Sequence, residues 1–330
     1  MEFSKFDQLS AKIWGNFLKI TSGFEKNKIL GLIRSVSLPI TLFSVIIAGL
    51  LAWSFGSFDP ILFAVNMIGL LLAHASSNVI NDWWDYKNKV DTPEYFRLVY
   101  GVHPVFSIGE RKSFLLGLFL SFLAFLCGLF LASKRGPAVI LLAIVGFVLL
   151  FSYSGKPLKL KYRGLGEFLV FLIWGPMMIA GSFFVISGYI DEKVIVASFP
   201  YGISASLIVF GKHLDKLEED SKKGVKTLPV ILGERKTKIL CKVLIFAMYI
   251  SVILTALLTQ RLGFLFSFLS LPRAIKVFRG IDYDRPKDLN EVPDFYPKDF
   301  WPMWYVGGAF ILNTDFALSF ILGTFLARFF

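Results

Sequence analysis

A chain of 330 residues that is 55% hydrophobic and only 18% charged, with a mean hydropathy of +0.64, is not a soluble globular protein. Its formal charge of +11 calls for no nucleic-acid partner, because orientation in a bilayer and attraction to anionic lipid account for the excess of lysine and arginine. The apolar residues come in long blocks without strict alternation, which argues against a transmembrane barrel.

Along the chain, residues 1–30 open with Phe6, Leu9, Ile13, Phe17 and Ile20 at spacings of three and four, flanked by Lys5, Lys12 and Lys19. That pattern describes an amphipathic helix, lying in the membrane interface or packed on the inner loops. Nine apolar runs follow, near 35–54, 61–81, 113–132, 137–153, 167–188, 194–212, 239–258, 262–278 and 304–327. The eighth is the weakest, interrupted by Pro272 and Arg273. The expected fold is an all-α integral membrane protein of about nine transmembrane helices around a central cavity. Residues 31–330 form the bundle, and 1–330 make one domain.

Basic residues set the orientation. Lys and Arg number 6 in 1–34, 5 in 82–112, 4 in 154–165, 8 in 212–238 and 6 in 272–299, against 0, 2, 1 and 1 in the intervening connections. Basic loops stay inside, so the sequence predicts a multi-pass cell-membrane protein with its N-terminus cytoplasmic and its C-terminus outside. Cys127 and Cys241 both sit in apolar context and suggest no metal or redox pair. His74, His103 and His213 are too scattered for a metal site, and His74 reads as a packed polar residue.

Two acidic clusters close the second and sixth runs, both on the predicted cytoplasmic side. The first is NDWWDYKNKVD, with Asn81, Asp82, Asp85 and Asp91, and with Asn78 one turn earlier. Asn81 and Asp85 share a helical face, while Asp91 lies past the predicted helix end and can fold back. Carboxylates at the end of a membrane-length run are costly and mark an ion or substrate site. The second cluster, HLDKLEED, offers Asp215, Glu218, Glu219 and Asp220, with Lys212 and Lys216 beside them. Asp215 and Asp220 are the pair expected to reach the cavity, with the helix ending between them. Acids without histidine or cysteine suit hard divalent cations, Mg²⁺ or Mn²⁺, held against a polyphosphate. A third inner segment, Tyr153 to Glu167, carries Lys156, Lys159, Lys161 and Arg163, which can neutralise such an anion. The residues alone therefore imply a membrane enzyme acting on a diphosphate-bearing lipid.

These motifs resemble the UbiA superfamily of intramembrane aromatic prenyltransferases. Asn81, Asp82, Asp85 and Asp91 are similar to its first motif in the longer form of the menaquinone branch. Tyr162-Arg163-Gly164-Leu165-Gly166-Glu167 resembles a phrase of dihydroxynaphthoate polyprenyltransferases, and Gly224 to Pro229 resembles the phrase after the second acidic motif. The likeness departs at Lys216, where an acid is usual, and at His103-Pro104, where Arg-Pro is usual; Arg97 is a candidate for the missing cation.

The resemblance implies nine helices around a cavity and Mg²⁺-dependent ionisation of a prenyl diphosphate, such as geranyl or geranylgeranyl diphosphate. Asn81, Asp85, Asp91, Asp215, Glu218, Glu219 and Asp220 are the candidate metal ligands. Asn78, Arg97, Lys156, Tyr162, Arg163 and Lys212 are the candidates to grip the diphosphate. The acceptor expected is aromatic, such as 1,4-dihydroxy-2-naphthoate, with a glyceryl phosphate as the alternative. A transporter of an anionic solute is the rival of another class, but its charges should lie near the midplane on broken helices.

Overall fold

The computed structural model describes residues 28–93, 102–283, 285–293, 296 and 303–330. The amphipathic helix expected over residues 1–30 lies outside the described residues except for 28–30, and Arg97 lies outside them altogether. Among the described residues, eight helices are long and apolar enough to cross a membrane: α1 (Ser35–Ser54), α2 (Pro60–Lys87), α3 (Glu110–Arg135), α4 (Pro137–Ser154), α5 (Gly166–Ser187), α6 (Glu192–Asp215), α7 (Glu234–Thr259) and α8 (Trp304–Leu326). There are no named strands among them, only an isolated bridge between Arg163 and Lys226.

The eighth expected span, 262–278, is corrected. It is a 3₁₀ stretch, Leu262–Ser270, running into a ten-residue helix, Leu271–Gly280. The cause is local. Ser267 and Ser270 hydroxyls donate to the carbonyls of Phe264 and Ser267, 2.6 and 2.7 Å away, and Pro272 removes a donor. Arg273 then turns inward to a buried ion pair with Asp315 of α8, Nε to Oδ2 2.9 Å.

Helix ends follow ordinary capping chemistry. Asp59 accepts from the amides of Ile61 and Leu62 at 2.9 and 3.0 Å, and Pro60 stands at the first helical position of α2. Gly136, at φ 84°, makes the turn between α3 and α4 that a residue with a Cβ would resist. Inside α5 the ladder opens into a π-helical stretch, Ile173–Ala180, because Pro176 has no N–H and Gly175 leaves helical ψ.

Burial sorts the helices. Of its most apolar stretch, α6 buries 72% and α3 only 11%, so α6 is the centre of the bundle while α3 shows Phe119, Phe122 and Phe125 to lipid. The core joins Ile47 and Leu51 of α1, Phe183 of α5, Tyr201 of α6, Met248 of α7 and Phe316 of α8. Lipid tails give no hydrophobic drive between helices, so polar contacts fix their registers. Tyr201 donates to the carbonyl of Ile40 at 2.7 Å, and Asn66 to Ser182 at 2.8 Å.

A close backbone approach lies beside the second acidic cluster. A Cβ on Gly211 of α6 would stand 2.6 Å from the carbonyl oxygen of Tyr305 and 2.8 Å from Cα of Val306. Backbone cannot move aside as a side chain can. Gly211→Ala is therefore expected to push α8 off α6 and destabilise the bundle by about 1–3 kcal/mol, seen as a lower thermal unfolding midpoint in detergent or nanodiscs. An unchanged midpoint would show that the two helices tolerate separation.

Candidate active site

A cavity of about 910 Å³ runs between α1, α2, α3, α4, α5 and α6, with the start of α8 at its edge. One end is polar, bordered by Arg34, Asn81, Asp85, Asp91, Lys212 and Lys216. The rest is an apolar wall, including Phe122, Leu129 and Phe147. An elongated apolar space with charge at one end suits a lipid whose head is anionic.

The first acidic cluster builds most of the polar end. At about 1.5 Å per residue, the 28 residues of α2 exceed the hydrocarbon thickness, so its last turns carry charge beyond the apolar layer. Asp85 is buried and accepts from Lys161 Nζ at 2.7 Å, Tyr162 OH at 2.8 Å and Asn81 Nδ2 at 3.2 Å. Ser154 in turn donates to Asn81 Oδ1 at 2.6 Å. Burial would strip the Lys161 proton, but Asp85 and Asp220 outweigh it and raise the ammonium above its ordinary value. Burial, with the Asp85 charge second, pushes the Tyr162 phenol far above the usual range. Both therefore remain donors to Asp85.

The other two acids of the cluster take different partners. Asp82 is fully buried and ion-paired with Arg34, Nε to Oδ2 3.3 Å, and sits outside the cavity lining. Burial opposes the Arg34 charge, yet Asp82, Asp91 and Asp85 together raise its hold on the proton. Asp91 folds back as expected, with its amide on the Asp85 carbonyl at 3.3 Å. Its Oδ2 lies 2.9 Å from His103 Nε2. Ligand atoms of Asp82, Asp91 and His103 lie within 4.8 Å of one another, so one of the three histidines joins two of the acids. Asn78 does not face the polar end freely; its Nδ2 donates to the carbonyl of Ile33 at 2.9 Å and to Ser37 at 3.0 Å.

The second cluster departs from expectation. Asp215 borders the cavity, but its oxygens accept from the amides of Tyr305 and Val306, at 3.1 and 2.9 Å, and from Arg285 at 3.0 Å. It caps the first turn of α8. Glu218 points to solvent, 86% exposed, 3.9 Å from Lys222. Glu219 and Asp220 do not border the cavity, and Asp220 is fully buried with Oδ1 3.7 Å from Lys216 Nζ. What this cluster does present to the cavity is Lys212 and Lys216. Burial lowers the Lys216 proton affinity, against the pull of Asp220. Among the described residues no hydrogen bond or ion pair engages Lys212.

The basic loop divides in the same way. Lys161 and Tyr162 turn inward, whereas Lys156 and Arg163 are exposed, Arg163 reaching only the carbonyl of Pro157 at 3.5 Å. Lys156 and Arg163 are thus placed away from the site they were expected to serve. Arg34 and His103 were missed as site residues. Arg34 reads as an ordinary inside-loop charge, and His103 lies 12 residues from its carboxylate.

Similarity to known proteins agrees with this architecture. The pattern of the UbiA prenyltransferase family matches residues 42–301. A 1,4-dihydroxy-2-naphthoate octaprenyltransferase of Bacillus subtilis (strain 168) is 25% identical over 252 residues, spanning 76% of this chain and 80% of that protein. A solved UbiA homologue from Archaeoglobus fulgidus, bound to GPP and Mg²⁺, superposes with TM-score 0.59 at 16% identity, covering 90% of this chain and 99% of that one. A structure concerning digeranylgeranylglyceryl phosphate synthase superposes with TM-score 0.59 at 19% identity, covering 91% and 99%. The last two are likenesses of fold.

Two acids three residues apart should behave oppositely. Asp215→Ala removes the cap of α8 and leaves Arg285 without its anion, so stability should fall by roughly 2 kcal/mol or more. Glu218→Ala should change stability by no more than about 0.5 kcal/mol. Thermal unfolding of both variants checks this, and equal midpoints would refute the division of roles.

Proposed function

The chain belongs to the UbiA prenyltransferase family, and we propose that it transfers a polyprenyl group from a prenyl diphosphate to an aromatic acceptor such as 1,4-dihydroxy-2-naphthoate. The observation that carries this reading is one large cavity, with Asn81, Asp85 and Asp91 beside Lys212 and Lys216 at one end and a long apolar wall behind them. The naphthoate acceptor rests on the named relative and on the phrase Tyr162 to Glu167.

Asn81, Asp85 and Asp91 fit a hard divalent cation, since all three offer oxygen at the cavity's polar end. Bound there, Mg²⁺ or Mn²⁺ would supply positive charge to the diphosphate as it leaves. Lys212 and Lys216 border the same end and stabilise the negative charge that develops when the bond from the prenyl C1 to oxygen breaks and its electron pair goes to the diphosphate. Lys161 and Tyr162 hold Asp85 in one orientation. The apolar wall keeps water from the allylic cation until a ring carbon of the acceptor attacks C1.

Several polar groups stand within that apolar length, among them Asn66, Ser121, Ser182 and His74. His74 lies on the Asn78–Asn81 face of α2, roughly 10 Å below Asn81 by helical rise, and borders the cavity beside Trp174. The excess of lysine and arginine in their loops supports a cytoplasmic side for the charged ends of α2 and α6.

The test is mass spectrometry of products from purified protein given Mg²⁺, geranylgeranyl diphosphate and either 1,4-dihydroxy-2-naphthoate or geranylgeranylglyceryl phosphate. Prenylated naphthoate product is expected, and product from the glyceryl phosphate alone would replace the acceptor assignment. Excess EDTA should abolish transfer. Asp85→Asn, which keeps shape but removes a charge, should slow turnover at least tenfold, about 1.4 kcal/mol in the barrier. Undiminished turnover would locate the metal elsewhere.

A further inference from the structure

The sequence offers acids at the ends of both α2 and α6, and symmetry would suggest a cation bound at each. The structure is not symmetric. From α2, Asn81, Asp85 and Asp91 border the cavity. From the end of α6, the one acid that borders it is Asp215, whose Oδ1 already accepts from Arg285 and the Tyr305 amide and whose Oδ2 accepts from the Val306 amide. Two of those three donors are backbone amides, which cannot turn away as the side-chain donors on Asp85 can, so Asp215 cannot take a cation without uncapping α8. Glu218 is out in solvent, and Glu219 and Asp220 stand off the cavity lining.

The positions that do face the space are Lys212 and Lys216, one helical turn apart. Lys216 is 6% exposed and forms the C-terminal cap of α6, where a cation is favoured by the helix dipole. Two ammonium groups carry the charge of one divalent ion and repel another that approaches. Asp220 holds Lys216, Oδ1 3.7 Å from Nζ, and both ammonium groups border the space where phosphate oxygens would lie.

We propose that this enzyme holds its diphosphate with metal on the α2 side alone, and that Lys212 and Lys216 stand in for a second metal on the α6 side. This rests on the reading of the ligand as a prenyl diphosphate. It makes the two lysines direct ligands of the leaving group and sets the number of cations taken up with it.

The number can be counted without catalysis. Geranylgeranyl thiolodiphosphate, with sulfur at C1 to slow ionisation, is titrated into the full chain in nanodiscs at varied free Mg²⁺, correcting for Mg²⁺ on the free analogue. By linkage, the logarithm of affinity should rise with the logarithm of free Mg²⁺ at a slope of about one. A slope of about two overturns the one-sided arrangement while leaving the prenyl-diphosphate reading intact. Failure of wild type to bind the analogue at any Mg²⁺ overturns that reading, and this inference with it. Lys216→Met should weaken binding at saturating Mg²⁺ at least tenfold with the slope unchanged. Lys216→Asp, which creates an oxygen ligand, should raise the slope toward two. Wild-type affinity in Lys216→Met and in Lys212→Met, each with a normal unfolding midpoint, would overturn the role given to the lysines.

Discussion

Everything at the polar end depends on keeping Asp85 ionised where water is scarce. An unpaired carboxylate at that depth would be neutralised or would unfold the helix end. Lys161 at 2.7 Å supplies the countercharge, and it comes from the loop after α4, 76 residues away in sequence. The pair therefore decides where that loop sits. Tyr162 and Asn88 lie on the same side, and Lys159 reaches Asn88 Oδ1 at 2.6 Å, so the loop is pinned at several points around one charge. Removing Lys161 would release the loop as well as the carboxylate. Such a site is held by mutual need between charges, and only secondarily by packing.

The same constraint gives Asp215 its place. The first amides of α8 have no partner within their own helix, and inside an apolar bundle water does not serve them. Asp215 serves two of them and Arg285 together. The close approach of Gly211 to Tyr305 and Val306 brings that helix start within reach. An acid placed for such a task is unavailable for chemistry in the cavity, although its residue type and its neighbours in sequence suggest otherwise.

How much could be read from sequence follows from the range of the interaction concerned. Eight spans were legible because membrane thickness demands some twenty apolar residues in a row, a property contained within each segment. The run at 262–278 failed because serines bonding to their own preceding carbonyls, and Arg273 reaching Asp315, are geometric facts that hydropathy does not register. The pairing of Asn81 with Asp85 was legible because helical spacing governs it, and Asp91 follows closely enough on the helix end to fold back on them. The fate of Asp215 was not, since its partners stand 70 to 91 residues later. Arg34 and His103 were hidden likewise: each pairs with a carboxylate, 48 and 12 residues away, at a separation that no periodicity describes. Lys156 and Arg163 had the right charge in the right loop, yet a loop pinned through Lys161 and Tyr162 leaves them facing out.

The apolar wall is tied to the charged end by a single line of hydrogen bonds whose direction can be worked out. Ser37 donates its one proton to the carbonyl of Arg34 at 2.9 Å and accepts from Asn78 at 3.0 Å. It can then only accept from His74, so Nε2 of that ring carries the proton across 3.3 Å. Nδ1 is left as an acceptor, and Thr41 donates to it at 2.7 Å while accepting from the Trp174 indole at 3.0 Å. The chain runs from Trp174 through Thr41, His74 and Ser37 to Arg34, and Arg34 pairs with Asp82. His74 is thereby fixed as one neutral tautomer, with its donor on the longest and weakest bond of the line. A ligand oxygen in the cavity competes with Ser37 for that donor at little cost, which is the condition for a polar group buried in hydrocarbon to recognise anything.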